Sequence, residues 1–562
     1  MTPPRWLVGA TFVGLAALLY YPIHVPYQNP DQDYPGIALL EMVRGGWEPW
    51  TIYYPSALTN LLRAGYALVL VGARAVGRHL DAIDLCAAFA RDPAPFRIAP
   101  RLVAMTAGVV SLVAVARLAA VVTDAWSGLF AAVLLGTSYM FVREHHHGMF
   151  DAPASAAVIA ALACCARYVR SPARGTLAAA MAAAAVAVSF KWNAAVVLAC
   201  PFLALVLAPA PPGGRFTVLG VALLAGVLAM LATSPVVVLE PGRVGEHLYW
   251  VWDYFAHLAR QVGRQGGPAY GFGSVVRNGL GIPLAAVALV GAATAIARRE
   301  RALVPLLFFT AVYGWIVWRS PLVFNRYALP LAPPLAVLAA YALHRWTPFG
   351  VRVVAVAALV AVGLPTCLAY DSLLAREDTR VASARWLREH VRPDAAIFLP
   401  GTLMTAMYVG PDLPRPLGTA QLPAARAEEL ARRTGPLFPR VRRYYDPRPR
   451  SGGGASGPAR LAPWANGIVV TSETYDGPFR RESTSFVAMR DLEAHARLLG
   501  DFPVERMRDF RIYEPDLNYV PMTGLSTLLR PGPHIRIWYV PALDQRAESP
   551  FIDGRIPVAS RF

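Results

Sequence analysis

Four charged residues stand where apolar stretches begin or end, and their types suit one chemistry. Asp31 and Asp151 are acids able to take a proton or orient a nucleophile. Lys191 and Arg326 are cations able to hold a phosphate, lysine as a point charge and arginine through its planar fork. Of the 53 Lys and Arg residues, Lys191 is the sole lysine. It lies between the Ala-rich apolar stretches 177–190 and 194–207. An ionised group at the edge of a membrane segment is costly and marks a functional position by default. Arg326 ends a similar run and is followed by Tyr327-Ala328-Leu329-Pro330.

Two loops carry the acids. Residues 27–55 read YQNPDQDYPGIALLEMVRGGWEPWTIYYP. Asp31 and Asp33 precede a predicted interfacial helix over 36–43, which Gly45-Gly46 stops. Trp47, Trp50, Tyr53 and Tyr54 suit a headgroup belt. The acids read either as a cap and solvated loop charges or as a general base for an acceptor. Residues 140–154 read MFVREHHHGMFDAPA and pack Arg143, Glu144, three histidines and Asp151 into nine residues. Consecutive helical residues point about 100° apart, so the three histidines cannot all converge. His145 or His147 with Asp151 is a candidate divalent-cation site. Asp151, followed by Ala152-Pro153, also has the form of a helix N-cap.

The elements that must position these groups are membrane spans. Of 562 residues, 56% are hydrophobic and 16% charged. A soluble domain would carry roughly 25% charge. About eleven apolar stretches near spanning length recur up to residue 370. They fall near 6–23, 101–122, 126–143, 152–169, 176–190, 194–208, 216–239, 278–297, 302–319, 322–345 and 350–370. The first follows Arg5 without a small-residue cleavage site and reads as an uncleaved span. With a cytoplasmic N-terminus, Arg167/Arg170/Arg174, Arg215, Arg298-Arg299-Glu300-Arg301 and His344/Arg345/Arg352 fall inside. Asp31, Asp151, Lys191, the loop 240–277 and the C-terminal region then fall outside. The stretch 56–76 carries Arg63 and Arg74 and is read as lying in the interface, which keeps both aspartates on one side. The formal charge of +17 is thus loop arginine and not a nucleic-acid surface. Five cysteines show no disulfide or zinc spacing.

After residue 370 the composition turns polar, which divides the chain into 1–370 and 371–562. The second part reads as an extracytoplasmic α/β domain. Helices are predicted over 379–390 and 492–499, strands over 395–399, 467–470 and 534–540, and a disordered excursion near 446–460. In the loop 240–277, Glu240, Glu246, His247, Trp250, Trp252, Asp253, Tyr254 and His257 either cover a sugar or anchor the interface.

The ordered motifs resemble the GT-C membrane glycosyltransferases, in the branch of protein O-mannosyltransferases and lipid A aminoarabinose transferases (glycosyltransferase family 39-like). The matching pieces are Pro30-Asp31-Gln32, Gly45-Gly46-Trp47 with Pro49, Tyr54-Pro55-Ser56, the turn from Arg143 to Pro153, Phe190-Lys191-Trp192-Asn193, and the run from Arg326 to Pro333. They cover roughly residues 5–370. The family's Asp-Glu pair reads Asp31-Gln32 here, which leaves Asp31 as the base and removes the partner carboxylate.

The resemblance implies a multi-span GT-C fold and a polyprenyl-phosphate sugar as donor. It implies transfer to a protein hydroxyl, a lipid or an envelope glycan at the extracytoplasmic face of the plasma membrane. Asp31 and Asp151 are then catalytic, while Lys191, Arg326 and Tyr327 bind the donor phosphate. Asp33, Glu144, His145, His147 and Tyr54 orient substrate. No cofactor is required by the resemblance, a divalent cation remains a candidate, and no nucleic acid is expected. A lipid-linked-sugar flippase is the alternative. It would place charges at mid-span within internal repeats, whereas here they gather at one face. An envelope polysaccharide polymerase or ligase would differ only in acceptor.

Overall fold

The structure is a computed structural model. It describes residues 2–24, 34–46, 55–209, 214–262, 271–319, 325–392, 395–398, 422–435, 441–442, 461, 464–473, 491–504, 524–532, 534–541 and 549–561. Asp31, Asp33, Trp47, Trp50, Tyr53, Tyr54, most of the glycine-rich stretch 263–273 and the excursion 446–460 lie outside these residues.

Each predicted apolar stretch contains helix. By length and composition, six stretches among the described residues can cross a membrane. A seventh arises if the bent pair Ala125–Gly136 and Tyr139–His146 counts as one. Arg5–Tyr20, Arg174–Phe190, Trp192–Leu207 and Ile282–Ala297 are apolar but shorter. The expected count of eleven is therefore reached only if these short helices also span. The helix Ala57–Ala75 is 19 residues long but is not among the six. It carries Arg63 and Arg74, while Leu68, Val69 and Val71 on it are exposed.

The chain divides into two compact units, and the division differs from the expected one. The first holds residues 1–23, 46–67 and 98–370. The second holds 371–562 and also takes in 24–45 and 68–97. The break at Tyr370 was legible as a composition change. The recruitment of the two upstream segments was not, because it depends on long-range pairing.

In the first unit, Asp124 caps the helix Ala125–Gly136 by accepting from Ser127 N at 2.7 Å. That helix stops at Thr137-Ser138, and Tyr139–His146 leaves at 64°. The hydroxyls of Thr137 and Ser138 turn back onto Val133 O (2.8 Å) and Leu135 O (2.9 Å), so the break leaves neither buried hydroxyl unsatisfied. Gly363 backs onto this break. Any side chain there would strike the Thr137 carbonyl. Beyond the bend lies a wholly buried helix carrying Arg143, Glu144, His145 and His146.

In the second unit, a six-stranded sheet has the order β2-β1-β3-β5-β4-β6. The strands are β1 (Ile397–Phe398), β2 (Val441–Arg442), β3 (Gly467–Glu473), β4 (Arg497–Phe502), β5 (His534–Val540) and β6 (Ser560–Arg561). β3 and β5 pair antiparallel over seven residues, and the pairs on β1 and β6 are parallel. Both faces are buried. Ile468, Val470, Ile535, Ile537 and Phe502 lie in one core with Trp386 and Leu387. Phe398, Val469, Trp538 and Val540 lie in the other with Trp464. The predicted helix Thr379–His390 forms as expected. Its cap, Asp378, holds Arg380 through Nε (2.8 Å) and Nη2 (2.6 Å), with both side chains fully buried. The helix expected over 492–499 is corrected. Residues 491–495 are helical, but Arg497–Phe502 is the strand β4, held in register by β5. Short apolar runs do not distinguish helix from strand, and here cross-strand pairing decides.

The recruited segments supply the helices Tyr34–Arg44 and Ala82–Arg91. These group with Ala424–Thr434 through arginines. Arg433 Nη1 donates to Asp81 (2.9 Å) and Asp84 (2.8 Å), Arg91 donates to Arg433 O (2.9 Å), and Arg426 donates to Val43 O. The predicted helix over 36–43 is thus present and packs on protein, with Leu40 and Val43 buried.

Candidate active site

The site forms where three breaks in helical structure meet within the first unit. Asp151 opens the helix Asp151–Arg170, Lys191 closes Arg174–Phe190, and Arg326 lies in the 3-10 turn Asn325–Leu331 that precedes Ala332–Trp346. Each side chain leaves the chain where regular helix is interrupted. This lets charged groups reach one point without entering lipid.

Asp151 was expected to cap its own helix. The structure corrects this: the preceding residue, Phe150, has helical backbone angles, and Asp151 makes no cap bond. Its carboxylate points instead to Lys191, with Oδ1 accepting from Nζ. Oδ2 lies 3.9 Å from Arg326 Nε. Asp151, Lys191 and Arg326 are all buried. A charge removed from water is tolerated only beside an opposite one, so this placement requires the cluster to act as a unit. Lys191 Nζ also lies 4.1 Å from the centre of the Tyr327 ring and 5.3 Å from that of Phe150. The ring faces add cation–π attraction on the order of 1–2 kcal/mol at a desolvated site.

Tyr327 is itself held. Its carbonyl accepts from the hydroxyl of the fully buried Tyr313 at 2.8 Å. Tyr313 stacks on Phe309 with centroids 5.1 Å apart. Sequence reading gave no signal for Tyr313, an aromatic residue inside an apolar run, and none for Phe150, which stands beside Asp151 in a turn whose charged residues drew the attention. Glu240 pairs with Arg243 at 3.0 Å.

Glu144 is buried against Arg143. The histidines diverge, as helical spacing requires. His145 Nδ1 donates to Phe141 O at 2.7 Å, which leaves Nε2 as the lone-pair nitrogen, and that atom has no hydrogen-bond partner among the described residues. Its ring, with Leu19, closes over Gly108, so it packs there and makes no hydrogen bond to Asp151. His146 stacks on Tyr370 and lies 3.3 Å from Leu18 O. His147 is fully buried. The turn after it is tight. A side chain at Gly148 would lie 2.9 Å from Pro100 Cβ and 3.1 Å from Arg101 N. Among the described residues no three His, Cys, Asp or Glu side chains gather into one group. Asp31, Asp33 and Tyr54 lie outside the described residues.

Residues 97–239, which include Arg143 through Asp151 and Lys191, match the dolichyl-phosphate-mannose-protein mannosyltransferase family. No curated protein sequence matches the chain. The fold is similar to that of ArnT from Cupriavidus metallidurans, solved bound to undecaprenyl phosphate. The TM-score is 0.50 at 16% identity, over 94% of this chain and 97% of that one. The Archaeoglobus fulgidus oligosaccharyltransferase is a more distant neighbour, with a TM-score of 0.44 at 13% identity over 76% of this chain and 69% of that one. The central segment thus matches this family's model, and along nearly its whole length the chain shares the fold of ArnT.

Proposed function

We propose that this protein moves a sugar from a polyprenyl-phosphate carrier to a protein hydroxyl, a lipid or an envelope glycan at the extracytoplasmic face of the plasma membrane. The observation that carries the reading is the convergence of Lys191 and Arg326 on one buried carboxylate, Asp151, at the ends of apolar helices. Two cations at that depth suit an anion whose tail lies in lipid. The phosphate held by the similar ArnT is such a ligand.

In the transfer, the bond between the anomeric carbon and the phosphate oxygen breaks, and its electron pair stays on the phosphate. The charge growing there meets Lys191 and Arg326, with Tyr327 lining the cation pocket. Attraction that rises along the reaction lowers the barrier. The acceptor oxygen or nitrogen bonds to the anomeric carbon and yields its proton to Asp31, the general base. Asp33, Tyr54, Glu144 and His147 orient the substrates, and His145 serves by packing. Asp151 holds the cations in place. The domain after residue 370 lies outside the membrane and contributes acceptor or partner contacts.

The test is chemical. Purified protein in lipid nanodiscs is offered undecaprenyl-phosphate pentose and hexose donors labelled in the sugar. Transfer predicts label leaving the lipid phase for acceptor or water. Label that crosses the bilayer still attached to lipid would instead identify a flippase.

A further inference from the structure

Lys191 has one carboxylate in contact among the described residues, and that carboxylate is Asp151. Both side chains are buried. Tyr327 and Phe150 flank the ammonium with their rings, which offer it no competing anion. The lysine is thus neutralised by a group built into the fold. An incoming phosphate can bind Lys191 fully only by weakening that pair.

We propose, resting on the phosphate reading above, that Asp151 is an exchangeable counter-ion that competes with phosphate for Lys191 and so drives release of the polyprenyl monophosphate product. The donor is a phosphodiester with one negative charge. Transfer leaves a monoester, which by analogy with other phosphate monoesters carries about −1.5 to −2 at neutral pH. The product therefore attracts Lys191 and Arg326 more strongly than the donor does, and without a competitor it would hold the site closed. Asp151 limits that gain. Arg326 stays 3.9 Å from the free side of the same carboxylate, so Asp151 can keep a cationic neighbour while it yields Lys191. On this account Asp151 sets turnover through release, a role distinct from proton transfer.

Equilibrium binding of undecaprenyl phosphate to purified full-length protein tests this. Asp151→Asn keeps the shape and removes the competing charge. The expected result is about tenfold or more tighter binding, the scale of one charge-assisted hydrogen bond that no longer has to be broken. Multiple-turnover rate should fall more than single-turnover rate, and Asp151→Glu should return both toward wild type. Unchanged or weaker binding by Asp151→Asn overturns the proposal. Lys191→Met separates the two layers. If it leaves binding unchanged, the phosphate reading fails and this proposal with it. If it weakens binding while Asp151→Asn fails to tighten it, only the counter-ion role fails. Should Asp151→Asn not fold, the wild-type structure with undecaprenyl phosphate decides. Lys191 Nζ on a phosphate oxygen and off Asp151 supports exchange, whereas Lys191 still on Asp151 refutes it.

Discussion

The helix Asp151–Arg170 ends in two ionic clusters of opposite character. Its 20 residues span about 30 Å, close to the hydrocarbon thickness of a bilayer. At one end, Asp151 meets Lys191 and Arg326 in a buried, aromatic-lined pocket. At the other, Arg170 pairs with Glu300 at 2.8 Å, and Arg345 lies 3.8 Å from the same carboxylate. Asp124 lies 3.1 Å from both Arg352 and His344, the neighbour of Arg345 in sequence. The Arg170 side chain is 47% exposed and that of Lys191 is 7% exposed. The same ion types therefore do different work. In these pairs at least one partner is open to water, so they are partly screened and worth roughly 0–1 kcal/mol each, which suits anchoring and orientation. A buried cluster carries a desolvation cost of several kcal/mol per ion, and folding alone gives little reason to keep it. The contrast, together with the aromatic lining, is why the proposed chemistry is sought at the Asp151 end.

The comparison can be broken at either end. The largest effect is expected outside the cluster, at the proposed base. Asp31→Asn should lower transfer by about 10²–10⁴-fold with expression intact, measured as label moved from lipid to acceptor. Wild-type transfer by that variant would remove Asp31 from the role. Next, Arg326→Ala should lower the rate by about 10²–10³-fold. Arg326→Lys should restore part of it, because lysine keeps the charge and loses the planar fork. Full rescue by lysine would mean that only charge matters there.

At the opposite end effects should be small and confined to stability. Glu300→Gln should shift unfolding by at most about 1 kcal/mol and leave transfer within twofold. A large loss of activity would show that the two ends are coupled. The smallest effect concerns pH. Burial pushes the Asp124 carboxyl up, but hydrogen bonds from Ser127 and Arg352 and the charge of His344 hold it below the usual carboxylate range. Its folded pKa is thus below its unfolded value. The stability it contributes is present above the unfolded value, near pH 4, and is lost as pH falls through the folded one. Screening at this partly exposed site keeps it under about 1 kcal/mol. The difference in melting temperature between wild type and Asp124→Asn should shrink below pH 4. A difference constant from pH 7 to pH 3 would contradict the ion-pair assignment.

Much of this was legible in the residues. Lys191 and Arg326 stood out because charge at the edge of an apolar run is rare and expensive, and they do meet Asp151. The cap expected at Asp151 failed because its carboxylate faces a lysine forty residues away, and local spacing cannot weigh that partner. The 3-10 turn at Asn325–Leu331 was hidden inside an apolar run and forms the first part of the stretch Asn325–Trp346. The bend at Thr137-Ser138 depends on Gly363, far along the chain, and no local signal marks that approach. The second unit shows the same limit, since Arg433 gathers Asp81 and Asp84 from more than 300 residues upstream.

The most direct test is the single-turnover rate of sugar transfer from a polyprenyl-phosphate donor by Lys191→Ala beside Glu300→Gln. The account predicts a loss of about 100-fold or more for the first and less than twofold for the second. Transfer by Lys191→Ala at the wild-type rate would contradict it.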